Sequence, residues 1–348
     1  MPLVTDYKAV KEIYQEAAAR GVSLPSFCAE DRETLEAILA AALDMGKEIG
    51  VEDLPVVPAW TSRYPGRRQM ALLTACGDPV LGTNLMLSDL EAFMGDTSPY
   101  RKLRVLPHLD HAIPWLDDDV MGQYADRFAS IMCDASEKPF ATNVRITAHY
   151  VEQVRGRVLV EGAVDEIYES GNDQPKNELT TVEQAERFLR ETGVDILVPN
   201  VGTEHRATAT QVAYCSDRAK EISSQVGKIL CLHGTSSVKP QDLSHLPADG
   251  FVKVNVFTVL AVRGGQAVAR KVIHNLGNIF DEKELTSLAQ AEVLGKRVLQ
   301  PDFGETQPPL KPKLDFVATS HRRDAWFGAV HETCRQFFEA FNYAAFQS

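Results

Sequence analysis

The sequence predicts a closed (β/α)8 TIM barrel, and three observations carry that prediction. Eight short apolar runs alternate with longer segments of helical period along the chain. The runs are rich in Val, Ile and Leu and hold their polar residues back to their C-terminal ends, as parallel strands buried on both faces do. No glycine-rich fingerprint follows the first run, which argues against a dinucleotide-binding sheet. Periodicity alone leaves an open α/β sheet as the alternative. The chain has 348 residues, more than a usual single domain, but barrels of this kind commonly pass ~250 residues as one domain.

The elements follow in order. MPLVTDYKAVKEIYQEAAARG is an amphipathic helix pattern with charges throughout, without the apolar core of a signal peptide. The runs are LPSFCA (24–29), LPVVPAW (54–60), LRVLPHLDH (103–111), SIMCDA (130–135), RVLVEGAV (157–164), DILVPNVG (195–202), KILCLHG (228–234) and FVKVNVF (251–257). Between them lie helical patterns such as DRETLEAILAAALDMGKEIG, TVEQAERFLRETG and VAYCSDRAKEISSQVG, with Gly50, Gly193 and Gly227 at expected helix C-caps. The barrel domain is expected over 1–282. Residues 283–348 read as a helical extension packed on the barrel or on a neighbouring subunit, with the Pro-rich QPPLKPK and an aromatic terminal helix.

Composition narrows the function. The net charge is -12 with no long basic cluster, so nucleic acid and anionic membranes are excluded as partners. No stretch approaches 18 uncharged apolar residues, so no membrane span is expected. The six cysteines show no CxxC spacing, and Cys133 and Cys231 fall inside apolar runs. They read as buried free thiols in a reducing cytoplasm, and a metal here is not held by a cysteine cage.

In a barrel of this kind, functional groups sit at strand C-terminal ends. Three separate runs end in histidine-bearing motifs: HLDHA, GTEHR and LHGTSS. Strand ends converge on the barrel mouth, so His111, His205 and His233 are positioned to share one divalent ion. Alternation puts Asp110 opposite His111 until the strand ends, after which both can turn inward. A carboxylate there can shuttle a proton, cap the next helix or orient a ligand imidazole. Spacing alone leaves these open.

HLDHA, MCDAS, LVEGAV, LTTVEQAERFLRETGVD, GTEHR, CLHGTSSV and VKVNVFT together resemble, in order, landmarks of the class II ketose-bisphosphate aldolases. There the stretches read HLDHG, MIDGS, VEAELG, LTDPEQAAEFVERTGVD, GTSHG, LHGGSG and KINVNTD. The resemblance spans about residues 20–260. It implies that His111, His205 and His233 bind the catalytic metal, usually zinc. Asp110 would exchange a proton with the aldehyde-derived hydroxyl, Asn255 would contact the ketose or enediolate, and Asp134 would stand near the metal. The proton-abstracting glutamate of the loop after the fifth strand would be Glu169, with Glu166 its rival. Thr61, Gly234, Ser236 and Thr258 match substrate-binding positions, and Arg206 follows the second ligand. The implied reaction is reversible aldol cleavage of a ketose or related hydroxy-keto acid through a metal-stabilised enediolate, in a homodimer or homotetramer.

The departures concern the substrate. The glutamate of ELG falls at Ala163, leaving Glu161; the phosphate-gripping GGSG becomes Gly234-Thr235-Ser236-Ser237; Phe257 and Val259 flank Thr258. Arg206 or the Arg63–Arg68 loop is then available to meet an anion placed differently, a carboxylate or a phosphate. The alternatives are a metal-dependent sugar epimerase or isomerase and a non-catalytic partner subunit. Lys253 is read as structural or substrate-contacting, since this chemistry needs no Schiff base.

Overall fold

The computed structural model describes residues 3–166, 179–205 and 214–347. Eight strands form the ring: β1 Leu24–Cys28, β2 Pro55–Thr61, β3 His108–Ala112, β4 Ser130–Cys133, β5 Leu159–Ala163, β6 Ile196–Val198, β7 Leu230–Leu232 and β8 Phe251–Val256. Neighbours are parallel, and β1 pairs with both β2 (Ser26 opposite Val57) and β8 (Leu24 opposite Lys253). That double pairing closes the barrel and removes the open-sheet alternative. A two-residue strand, Arg104–Val105, adds to β2 outside the ring. The third apolar run is thus divided at Leu106 and Pro107, as a residue with no N–H to give the ladder requires.

The helices form where the caps say they should. Arg32–Ile49 starts at Asp31, whose side chain accepts from the Thr34 N–H, and ends at left-handed Gly50 (φ 74°). Val182–Thr192 opens on a capping box of Thr181 and Gln184 and ends at left-handed Gly193 (φ 72°). Ser216–Val226 ends at Gly227 with φ 87° and ψ 178°, so this cap turns directly into extended chain. Gly162 on β5 admits the helix above it. A Cβ there would stand 2.9 Å from Val194 Cγ1 and 3.0 Å from the Phe188 ring.

The chain divides into two compact units, residues 1–259 with 334–348, and residues 260–333. The first holds the whole barrel. Phe337 and Phe338 stand edge-on to Phe27 of β1 at 6.2 and 5.4 Å. The Tyr343 hydroxyl donates to the Pro55 carbonyl at 3.0 Å. The second unit has a small core of Leu276, Leu285 and Val298. Cys133 and Cys231 are buried free thiols. No helix among the described residues is long and apolar enough to cross a membrane.

Candidate metal centre

The geometry begins with a break in β3. Regular alternation turns His108 and Asp110 inward and His111 outward. The β3–β4 register shifts between Leu109 and Ala112, and His111 takes φ 44°, in the left-handed region. A non-glycine residue there costs on the order of 1 kcal/mol, a strain found where the surroundings over-determine a site. Its effect is to aim Asp110 and His111 into the same mouth.

His205 follows β6 and His233 follows β7, so three strand ends deliver three imidazoles. One ligand atom from each lies within 4.8 Å of the others. The hydrogen bonds assign the tautomers. His111 Nδ1 is 2.7 Å from Asp134 Oδ2, a carboxylate that can only accept, so Nδ1 carries the proton and Nε2 the lone pair. His233 Nε2 donates to Glu161 Oε1 at 3.0 Å, leaving the lone pair on Nδ1. Those two lone-pair nitrogens face each other at 3.2 Å. Two acceptors turned on one point, each backed by a carboxylate, make a donor set that could hold a cation. Burial and the neighbouring imidazoles hold His205 well below its ordinary pKa, and burial lowers His233 as well. Neutral imidazoles are the form that ligates.

Beneath this mouth lies a closed polar network. Lys253 Nζ donates to Glu161 Oε2 at 2.8 Å, to Asn255 Oδ1 at 2.6 Å and to His108 Nε2 at 3.0 Å. An ammonium has three protons and all three are engaged, so Lys253 is a fixed cation and no Schiff-base nucleophile. Burial opposes its charge, but the surrounding Cys231, Glu161, Tyr14 and Asp110 raise its pKa. It also fills the place between Glu161, Cys231 and His233 that a second ion would need.

His108 accepts from Lys253, so its Nδ1–H donates to Ser130 Oγ at 2.8 Å. Burial, then the Lys253 ammonium, pushes its pKa down to about 3 from 6.5. The unfolded chain takes up this proton as pH falls through 6.5, while the folded chain resists until about 3. The stability is therefore present above pH 6.5 and lost in that window, by roughly 1 kcal/mol per pH unit. Denaturant titrations of metal-free protein between pH 7 and 5 are expected to show this slope added to those of His205 and His233, and His108→Gln to remove its share. Equal slopes in both proteins would contradict the account.

Asp110 is held from three sides. Asn255 Nδ2 donates to Oδ1 at 2.8 Å, Arg67 Nη2 donates to Oδ2, and the Cys28 thiol is 3.5 Å from Oδ2. Burial alone would raise its pKa; His111, Arg67, His233 and His108 outweigh burial and hold it well below the carboxylate range. A pocket opens above these groups, lined among others by Gly234, Ser236, Asn255, Thr258, Tyr64 and Phe257. Gly234 has φ 73°, and a Cβ there would meet the Glu204 backbone at 2.8 Å, so this turn requires glycine.

Not every expected residue faces that pocket. Thr61 is buried outside its lining, its hydroxyl donating to the Arg67 carbonyl and its N–H to Gln69 Oε1 at 2.8 Å. It shapes the loop that carries Arg67. Arg63 leaves the mouth to pair with Asp119 and the Leu116 carbonyl. Glu169 and Arg206 lie outside the described residues. Sequence reasoning missed Tyr64, stacked on His111 with centroids 4.3 Å apart, and His108. His108 was legible: it stands two before Asp110, hence on the same face.

Comparison with known proteins places this geometry. The family model for fructose-bisphosphate aldolase class-II matches residues 8–300. The chain is similar to fructose-bisphosphate aldolase from Campylobacter jejuni at 17% identity and TM-score 0.69, covering 98% of this chain and 95% of that one. It is similar to the YdjI aldolase from Escherichia coli K12 at 20% identity and TM-score 0.60, covering 96% of each. At these identities the structures speak for the fold.

Proposed function

We propose that this chain, which belongs to the class II fructose-bisphosphate aldolase family, is a divalent-metal-dependent aldolase that reversibly cleaves a ketose or a related hydroxy-keto acid. The observation that carries the reading is the trio of His111, His205 and His233, with two lone-pair nitrogens aimed at one point and backed by Asp134 and Glu161. Three imidazole nitrogens suit zinc best. When bound, such an ion supplies Lewis acidity to a substrate carbonyl and to the negative charge that develops beside it. Asp110, ionised and aimed into the pocket, takes the proton from the substrate hydroxyl during cleavage and returns it during addition. Asn255 holds that carboxylate in place and presents its amide to the donor fragment. The same reading carries a sugar or sugar-phosphate substrate, a homodimer or homotetramer, and a cytoplasmic setting.

Metal analysis of the purified protein is expected to find one divalent ion per chain, removed by chelator and restored by zinc. A panel of ketoses and hydroxy-keto acids, scored for released aldehyde, is expected to show turnover that follows the metal. Protein without zinc affinity and without aldehyde release would sink the enzyme reading. Interconversion of two sugars with no aldehyde would establish the epimerase alternative.

A further inference from the structure

Among the described residues lining the pocket, Arg67 is the lone lysine or arginine. Its side chain is only 10% exposed. Nη2 donates to Asp110, Nη1 lies 3.3 Å from Cys28 Sγ, and the guanidinium carbon sits 4.6 Å from the Phe257 ring and 5.9 Å from that of Tyr64. Nε is buried with no acceptor among the described residues. A clamp for Asp110 needs only the terminal nitrogens. A guanidinium inserted between two rings with an unanswered N–H has a donor left for something that enters the pocket.

The chemistry of that guest follows from its neighbours. Two of the three hydroxyls of the altered loop are engaged inside the protein, Thr235 with the Asn255 carbonyl at 2.7 Å and Ser237 with the Gly234 carbonyl at 2.8 Å, while Ser236 lines the pocket as a neutral group. Phe257 presents a ring, not a polar group. Among the described residues, the pocket's positive side-chain charge therefore stands beside Asp110. An anion that reaches Nε while Asp110 serves a hydroxyl must sit within a bond or two of that hydroxyl. That is the shape of an α-hydroxy carboxylate, whose flat pair of oxygens matches the planar donors of a guanidinium.

We infer that Arg67 selects a substrate whose acceptor-derived half carries a carboxylate beside the hydroxyl-bearing carbon, so that the acceptor is a 2-oxo acid such as glyoxylate. This rests on the aldolase reading above. In the addition direction the donor's carbon gives its proton to solvent and its electron pair to the acid's carbonyl carbon, the C=O π pair moves onto oxygen, and that oxygen takes one proton back through Asp110.

Two measurements test it. Calorimetry on metal-loaded protein is expected to show glycolate binding more tightly than inorganic phosphate, and about 10-fold more weakly in R67M. R67K keeps the charge beside Asp110 but not the fork, and is expected to fall between. Equal glycolate affinity in wild type, R67M and R67K overturns the proposal whether or not the enzyme turns over. In the addition direction, kcat/KM for glyoxylate is expected to exceed that for glycolaldehyde by roughly 100-fold, and R67M to collapse that ratio mainly through KM. Preference for glyceraldehyde 3-phosphate over glyoxylate also overturns it. Arg67-dependent glycolate binding with no turnover of any acceptor supports the carboxylate site and counts against the aldolase reading.

Discussion

Lys253→Met is expected to lower the unfolding free energy by about 3–5 kcal/mol, the usual cost of stranding one member of a buried ion pair. Both Lys253 and Glu161 have fully buried side chains. Removing the ammonium leaves Glu161 Oε2, Asn255 Oδ1 and His108 Nε2 without their donor in the barrel interior. Glu161 then regains a proton more readily, because it is chiefly Lys253 that offsets burial and keeps its pKa low. A protonated Glu161 is a poorer acceptor for His233 Nε2–H, so zinc affinity falls with stability. Guanidinium denaturation of metal-free protein measures the first effect and competitive chelation the second. The double variant Lys253→Met/Glu161→Gln is expected to recover at least half the lost stability, because the stranded charge is gone. A double variant as unstable as the sum of its singles would mean that the pair is not the unit described.

The same network shows what the sequence could disclose. The eight strands were legible because each apolar run is short, β-branched and nearly free of charge before its end. The meeting of His111, His205 and His233 was legible because each terminates such a run. What stayed hidden depends on contacts between strands distant in sequence. Lys253 looked like a lysine with an open role until Glu161, 92 positions earlier, and His108, 145 positions earlier, were found on it. The His111 kink depends on a register shift that no propensity encodes. Arg63 and Arg67 were indistinguishable as letters in one loop. They separate because Asp119 draws the first outward and Asp110 draws the second inward. Thr61 matched a substrate-binding position by type and place, but its hydroxyl is taken by the loop that brings Arg67 to the pocket.

Asp110→Asn is expected to lower kcat by roughly 10²–10⁴-fold while zinc content stays near one per chain. The separation follows from the geometry: Asp110 is not one of the three nitrogen donors, yet it lines the pocket they share. An amide is nearly isosteric but cannot take a proton from a hydroxyl at neutral pH. It also cannot satisfy both neighbours, since Arg67 and the Asn255 amide each donate to one oxygen and the new NH2 must face one of them. Some loss of stability therefore accompanies the loss of rate, and a thermal melt run alongside separates the two. Asp110→Glu restores the charge but advances the carboxylate by a methylene into Arg67, so it is expected to rescue stability more than turnover. If Asp110 served only to hold Arg67 or to orient His111, Glu would restore both together, and Asn would release zinc. Turnover in Asp110→Asn within tenfold of wild type, with zinc bound, would remove Asp110 from the proton path and leave Arg67 as the group it is there to anchor.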